Sequence, residues 1–367
     1  MRILSSTCQI LAILCAPILF RFISLREVDS KSQRELAGNV QELGKFVHEL
    51  TFHLANYRVE GEEFSVYQML AHMPNVRAIT VIHEREDTAM HTALLTIIDQ
   101  FSHIESITLL ENYYHPYFNY LPRRDVEVSQ TFFHQFLHNI VKSHGHRLKA
   151  LHLYTLLPLT EDLYIKIRDF TPNLRHITFT GNIPVELRGQ FSEPTLWASG
   201  KTGSLESLTL HNCAGVHAGN FAQNVLYGVY GSHLKSIFLI ACGHKTDAPS
   251  VPAASTPGRA MVDCLHLDHM WGCELEAMSR IPVQDFSLTR LLPEDLLRLP
   301  ALLVNGFAGM KKMRLIPRMV SVEAWEEISN ATGGAYKELQ ERCVHRGIQL
   351  SFDAVAWPNA CDVHIHL

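Results

Sequence analysis

The sequence predicts an α/β solenoid. Short parallel strands line a concave sheet and helices return along the convex side, in about 11–12 repeats. Three observations predict it. A hexapeptide of the form apolar-x-x-apolar-x-apolar recurs along the whole chain. Its copies start mostly 26–31 residues apart. Turn residues and helix-like text fill the intervals between copies.

In chain order the copies are FRFISL at Phe20, VHELTF at Val47, VRAITV at Val76 and IESITL at Ile104. LKALHL at Leu148, LRHITF at Leu174, LESLTL at Leu205 and LKSIFL at Leu234 follow. VDCLHL at Val262, VQDFSL at Val283, MKKMRL at Met310 and a degenerate GIQLSF at Gly347 complete the series. The steps after Ile104 and Met310 are longer and the one after Val262 is shorter. The period lies in the upper range of leucine-rich repeats. One such unit cannot bury its own apolar face, so stacking on neighbours is the stable solution.

Each part of the unit has a sequence signal. The ninth motif position carries Asn112, Asn182, Cys213 and Cys242, small polar side chains suited to bonding a turn backbone. The texts MPNVRAITV and TPNLRHITF introduce two copies, proline ending a helix and Asn75 or Asn173 suiting the turn. TEDLYIKIRDF places Leu163, Ile167 and Phe170 on one helical face. AYKELQERCVHRG ends at Gly347, a suitable helix C′ residue. Residues 243–260, rich in Pro, Ala, Ser and Gly, read as a mobile loop. Residues 181–204 read as a second loop, and the aromatic stretch YYHPYFNYLPRRD at 113–125 as cover for an edge.

Composition narrows the function. The net charge is −5 and the basic residues form no stripe, which leaves a nucleic-acid partner without an electrostatic footprint. The 8 cysteines include no C-x-x-C pair, so a disulfide framework is not indicated and a reducing compartment is the simpler reading. Cys213 and Cys242 occupy equivalent repeat positions, but nothing nearby completes a four-ligand metal set. His134 and His138 share a helix face without the glutamate of H-E-x-x-H. The pairs in SHGHR (143–147) and VHIHL (363–367) lack further ligands, and Gly145 puts the first in a turn. No P-loop and no G-x-S-x-G elbow occurs. The expectation is no catalytic residue, no metal and no cofactor.

The residues LSSTCQILAILCAPILFRFISL, through Leu4, Thr7, Cys8, Leu11, Leu14, Cys15, Pro17, Phe20, Ile23 and Leu25, resemble the last helix of an F-box and its entry into a leucine-rich domain. With the repeats and the closing ERCVHRGIQLSFD, the whole chain is similar to fungal F-box proteins with leucine-rich repeats. Gln9 and Ala12 stand where that family has basic residues, and the family's earlier F-box helices have no counterpart here. The resemblance implies an N-terminally truncated F-box remnant at 1–19, with Leu11, Leu14 and Pro17 capping a solenoid at 20–367. It further implies a substrate-recognition subunit of an SCF-type ubiquitin ligase in the cytoplasm or nucleus. A Skp-type adaptor is then a partner if a full F-box lies upstream. The alternatives are a repeat scaffold without ligase association, or a secreted or anchored recognition protein if residues 1–20 are a signal sequence.

Strand alternation supplies the candidate partner surface. The fourth and sixth motif positions point into the core; the third, fifth and seventh point out. Those outward positions are Glu49, Thr51 and His53; His176, Thr178 and Thr180; Ser207, Thr209 and His211; Phe238 and Ile240; His266 and Asp268; and Lys312 and Arg314. Hydroxyls, imidazoles and apolar groups in this mixture suit a protein partner better than a polyanion. No nucleic acid and no membrane are expected as partners.

Overall fold

The computed structural model describes residues 15–25, 41–54, 70–83, 98–111, 126–154, 161–180, 205–211, 213, 221–222, 225, 233–240, 242, 261–268, 272–317 and 334–352. The chain divides into two compact units, Met1–Gly181 and Asn182–Leu367. The expected loops at 181–204 and 243–260, the aromatic stretch at 113–125, Leu11, Leu14, Asn112, Asn182 and the VHIHL histidines lie outside the described residues.

All twelve motif copies are strands. The first unit holds β1 (Phe22–Leu25), β2 (Glu49–Leu54), β3 (Ala78–His83), β4 (Ser106–Glu111), β5 (Ala150–Tyr154) and β6 (His176–Thr180). The second holds β7 (Ser207–His211), β8 (Ser236–Ile240), β9 (Val262–Asp268), β10 (Val283–Leu291), β11 (Lys312–Pro317) and β12 (Gln349–Phe352). Within each unit the strands follow chain order and every neighbouring pair is parallel. The longer helices among the described residues are α1 (Val126–His144) and α2 (Glu161–Phe170), packed on each other, then α3 (Gly272–Met278), α4 (Pro293–Asn305) and α5 (Ala335–His345), with α4 touching both α3 and α5. This is the α/β leucine-rich-repeat architecture the motif predicts. The long step after Ile104 holds the 19-residue α1, and the short step after Val262 holds the 7-residue α3.

The registers put the fourth and sixth motif positions in stacked apolar rows. Leu50, Ile79, Ile107, Leu151 and Ile177 form one row of the first unit, all 1% exposed or less. Leu208, Ile237, Leu265, Phe286 and Met313 form its equivalent in the second, all 3% or less. The entry to several strands repeats one hydrogen-bond device. The carbonyl at the second motif position accepts two consecutive N–H groups from the next repeat: Arg21 from His48 and Glu49, His48 from Arg77 and Ala78, Lys149 from Arg175 and His176.

A second device joins the turns. Asn75 Nδ2 donates to the Lys45 carbonyl of the preceding repeat at 2.6 Å, and Asn173 Nδ2 to that of His146 at 2.7 Å. Each accepting residue follows a glycine. A Cβ on Gly44 would meet the His72 carbonyl, and one on Gly145 the Phe170 carbonyl, both backbone. The two Pro-Asn texts therefore mark turns that dock on a glycine of the repeat before.

Both predicted helices form, and one face differs from the expectation. Leu163 and Ile167 are buried, but Phe170 is 40% exposed. The buried place one turn further on belongs to Thr171, whose hydroxyl donates to the Ile167 carbonyl at 2.6 Å. Phe170, the last helical residue, lies off the face that Leu163, Ile167 and Thr171 follow at four-residue steps. At the other end of the chain α5 closes as a Schellman turn. Gly347 has φ +68°, its N–H donates to Val344, and that of Ile348 donates to Cys343.

Candidate functional site

Cys213 and Cys242 lie two residues past the ends of β7 and β8. Both are buried; the Cys213 thiol donates to the His211 carbonyl at 3.4 Å, and the Cys242 thiol reaches the Leu210 carbonyl of the preceding strand at 3.2 Å. Burial, with the neighbouring Cys242 thiol, pushes the Cys213 thiol well above its ordinary range, so it stays protonated. His134 and His138 are half-buried on α1, while the SHGHR pair diverges into a buried His144 bonded to Asp99 at 3.3 Å and an exposed His146. Among the described residues no group of three or more His, Cys, Asp or Glu is placed to hold a metal ion.

The outward faces of the sheets carry the remaining polar chemistry. In the first unit the fifth motif position forms the row Ser24, Thr51, Thr80, Thr108, His152, Thr178. The His152 ring bonds the Thr178 hydroxyl at 2.8 Å and stacks on Tyr154 at 6.4 Å. Burial, and then the nearby His176, push His152 down to about 4, so it is neutral at pH 7. Burial raises the Tyr154 phenol, and its bond to Thr178 opposes that rise. Glu49 pairs with Arg21 at 3.2 Å, His53 lies in β2 in register with Ile82, and His176 is exposed. Thr51, Thr178 and Thr180 are only 2%, 3% and 5% exposed. They face outward by alternation yet offer little accessible surface; Thr178 lies in register with the longer His152.

In the second unit the central row is Thr209, Phe238, His266, Ser287, Arg314, Ser351. The rings of Phe238 and His266 lie 5.9 Å apart, and the His266 ring bonds the Ser287 hydroxyl at 3.2 Å. Ser207, Thr209, Phe238, Ile240 and His266 are half-buried, and Lys312 and Arg314 are exposed. Lys312 lies 3.6 Å from Asp285. Burial lowers the His266 pKa, with Asp268 opposing and Arg314 adding to the fall.

His211 and Asp268 differ from the expectation of an accessible surface, being 9% and 6% exposed. Arg290 is a close neighbour of both. It is the extra residue of a bulge in β10, where the register to β11 shifts between Thr289 and Leu291, and its φ is +53°. The bulge turns the guanidinium across β9, placing Arg290 Nε 3.1 Å from Asp268 Oδ1. That oxygen has no aligned hydrogen-bond donor, so the contact is ionic. His211 sits beside the pair; burial is the main cause that pushes it down to about 4, Asp268 opposing and Arg290 assisting.

The alternation rule names Thr80, Thr108, His152, Ser287 and Ser351 as readily as the other outward residues. Arg290 needs a subtler signal: two residues, Thr289 and Arg290, separate the buried Leu288 and Leu291 where strict alternation allows one. At the N-terminus Pro17 is exposed and Ala16 is buried, so within residues 15–19 Ala16 makes the packing contact that was expected of Pro17. Ile18 and Leu19 are 77% and 69% exposed.

No family model matches the sequence, and a search of curated proteins gave no match. Among solved structures the chain is similar to the leucine-rich repeat-containing protein LegL7 from Legionella pneumophila. The two share 12% identity at a TM-score of 0.45, over 87% of this chain and 98% of that one.

Proposed function

We propose that this chain is a protein-recognition scaffold. Its outer sheet faces bind a protein partner, and any chemistry belongs to that partner's assembly. The observation that carries the reading is the second unit's face: in-register rows that present Phe238, Ile240, His266 and Arg314 together on a rigid sheet. In its finer form the scaffold is the substrate-recognition subunit of an SCF-type ubiquitin ligase in the cytoplasm or nucleus. Supporting this are the F-box-like residues before Phe20 and the exposed Ile18 and Leu19 beside them.

Two measurements test it. Photo-crosslinkers at Phe238 or His152 should capture a partner that crosslinkers at Val344, exposed on α5, do not; equal capture from both would refute the recognition face. A purified Skp-type adaptor should bind the chain when it is extended upstream by a complete F-box, and lose binding on Ile18→Asp with Leu19→Asp. An adaptor that ignores the extended chain removes the ligase role and leaves the scaffold.

A further inference from the structure

Cys213 and Cys242 supply chemistry that the recognition face does not use. The register pairs of β7 and β8 keep one offset from Ser207↔Ser236 to His211↔Ile240, and the two cysteines continue it two residues beyond. Each is therefore the other's equivalent in the neighbouring repeat. Parallel strands lie about 4.8 Å apart. A disulfide joins Cα atoms about 4.4–6.8 Å apart, so the repeat spacing itself suits the bond.

The sulfurs also point the right way. The Cys242 thiol reaches across to β7 and donates to the Leu210 carbonyl at 3.2 Å. It is also a hydrogen-bond neighbour of the Cys213 thiol. Both side chains are buried, at 0% and 2% exposure, which screens the pair from other thiols. The other described cysteines stand elsewhere. Cys264 lies in register with Ser236 and Asp285, Cys343 is on α5, and Cys15 belongs to the first unit. Asn112 and Asn182 occupy the same motif position, so bonding a turn there does not itself require sulfur.

We propose that Cys213 and Cys242 are an oxidative modification site, at which a small disulfide of the glutathione class converts the two thiols to a disulfide that ties β7 to β8 and stabilises the second unit. The exchange has two steps. A thiolate of the pair attacks the oxidant's S–S bond, forming a mixed disulfide and releasing one small thiolate. The second protein thiolate then displaces the remaining small thiolate and closes the protein disulfide. The two protein thiols lose two electrons and two protons; the oxidant takes both and leaves as two thiols. Burial keeps the Cys213 thiol protonated, so exchange is slow, proceeds through transient opening, and answers sustained oxidation rather than brief pulses. The bond closes a loop over residues 214–241, which restricts the unfolded chain. It also fixes the ends of the two strands that present His211 and Ile240, although the thiol chemistry does not depend on how that face is used.

The test holds the full chain in glutathione buffers from reduced to oxidised, alkylates the remaining thiols, and maps linked peptides by mass spectrometry. A peptide pair joining Cys213 to Cys242 should dominate in the folded protein. The same treatment in guanidinium should scatter the links over other pairs. Oxidation should raise the thermal midpoint of the second unit by about 5–10 °C, read by tryptophan fluorescence, and reductant should reverse the rise. Cys242→Ser, or Cys242→Ala where the serine variant unfolds, should abolish both the link and the rise. Cys264→Ser should leave both in place. Absence of the link in the most oxidising buffer, a different dominant pair, or a link that leaves the midpoint unchanged would each overturn the proposal.

Discussion

Asp295 makes the stability of the second unit depend on pH in the direction opposite to a usual carboxylate. It stands in the first turn of α4, is 2% exposed, and accepts a hydrogen bond from the Leu292 N–H at 3.2 Å. Burial raises its pKa from 3.8 to about 6; the Leu292 bond and Arg298 oppose the rise, and Glu294 adds to it. A carboxyl whose folded pKa is raised binds more protons folded than unfolded. Stability therefore falls as pH climbs from about 4 to about 6 and stays low above. The shift is about two units, each worth about 1.4 kcal/mol, so the charged group costs the fold about 3 kcal/mol at pH 7. Asp295→Asn keeps an oxygen for the Leu292 N–H and removes the charge. At pH 7 to 8 the variant should be more stable by about 2–3 kcal/mol, and the gain should vanish below about pH 4. All four tryptophans, Trp197, Trp271, Trp325 and Trp357, fall within Asn182–Leu367, so tryptophan fluorescence in guanidinium titrations reports this unit. A gain that persists at pH 4, or a loss at pH 8, would refute the reasoning.

Leu239, fully buried in β8, should cost about 2–5 kcal/mol as Leu239→Ala, while Thr209→Ala on the outward side should cost about 1 kcal/mol or less. Equal losses in denaturant midpoint would contradict the strand's facing. Gly145→Ala drives a Cβ into the Val141 and Phe170 carbonyls, and Gly44→Ala one into that of His72; each should lower stability by about 1–3 kcal/mol, read by circular dichroism. Arg290→Gly relieves about 1–2 kcal/mol of left-handed strain but strands the buried Asp268, at a cost of about 3–5 kcal/mol. A net loss near 2 kcal/mol is expected in the fluorescence titration. Adding Asp268→Asn should recover most of it; no recovery would place the loss elsewhere.

The repeat itself is legible in sequence because its causes are local. Two-residue alternation puts Leu208 and Leu210 on one side and Thr209 on the other whatever the neighbouring repeats do, and spacing then stacks the copies. Gly347 announces its left-handed turn for the same reason, since backbone sterics act within a few residues. What surrounds a side chain is a different kind of fact. Thr51 and Thr178 obey the alternation and are nevertheless buried, because burial depends on what neighbouring repeats pack around a side chain. Gly44 and Gly145 look like ordinary turn glycines until the next repeat's backbone is laid against them. Arg290 is one charged residue among many in sequence; only the bulge and the depth of Asp268 on the neighbouring strand make it a partner rather than a solvated cation. Periodicity is written in each repeat by itself, whereas accessibility and pairing exist only between repeats, and so the stacked structure decided them.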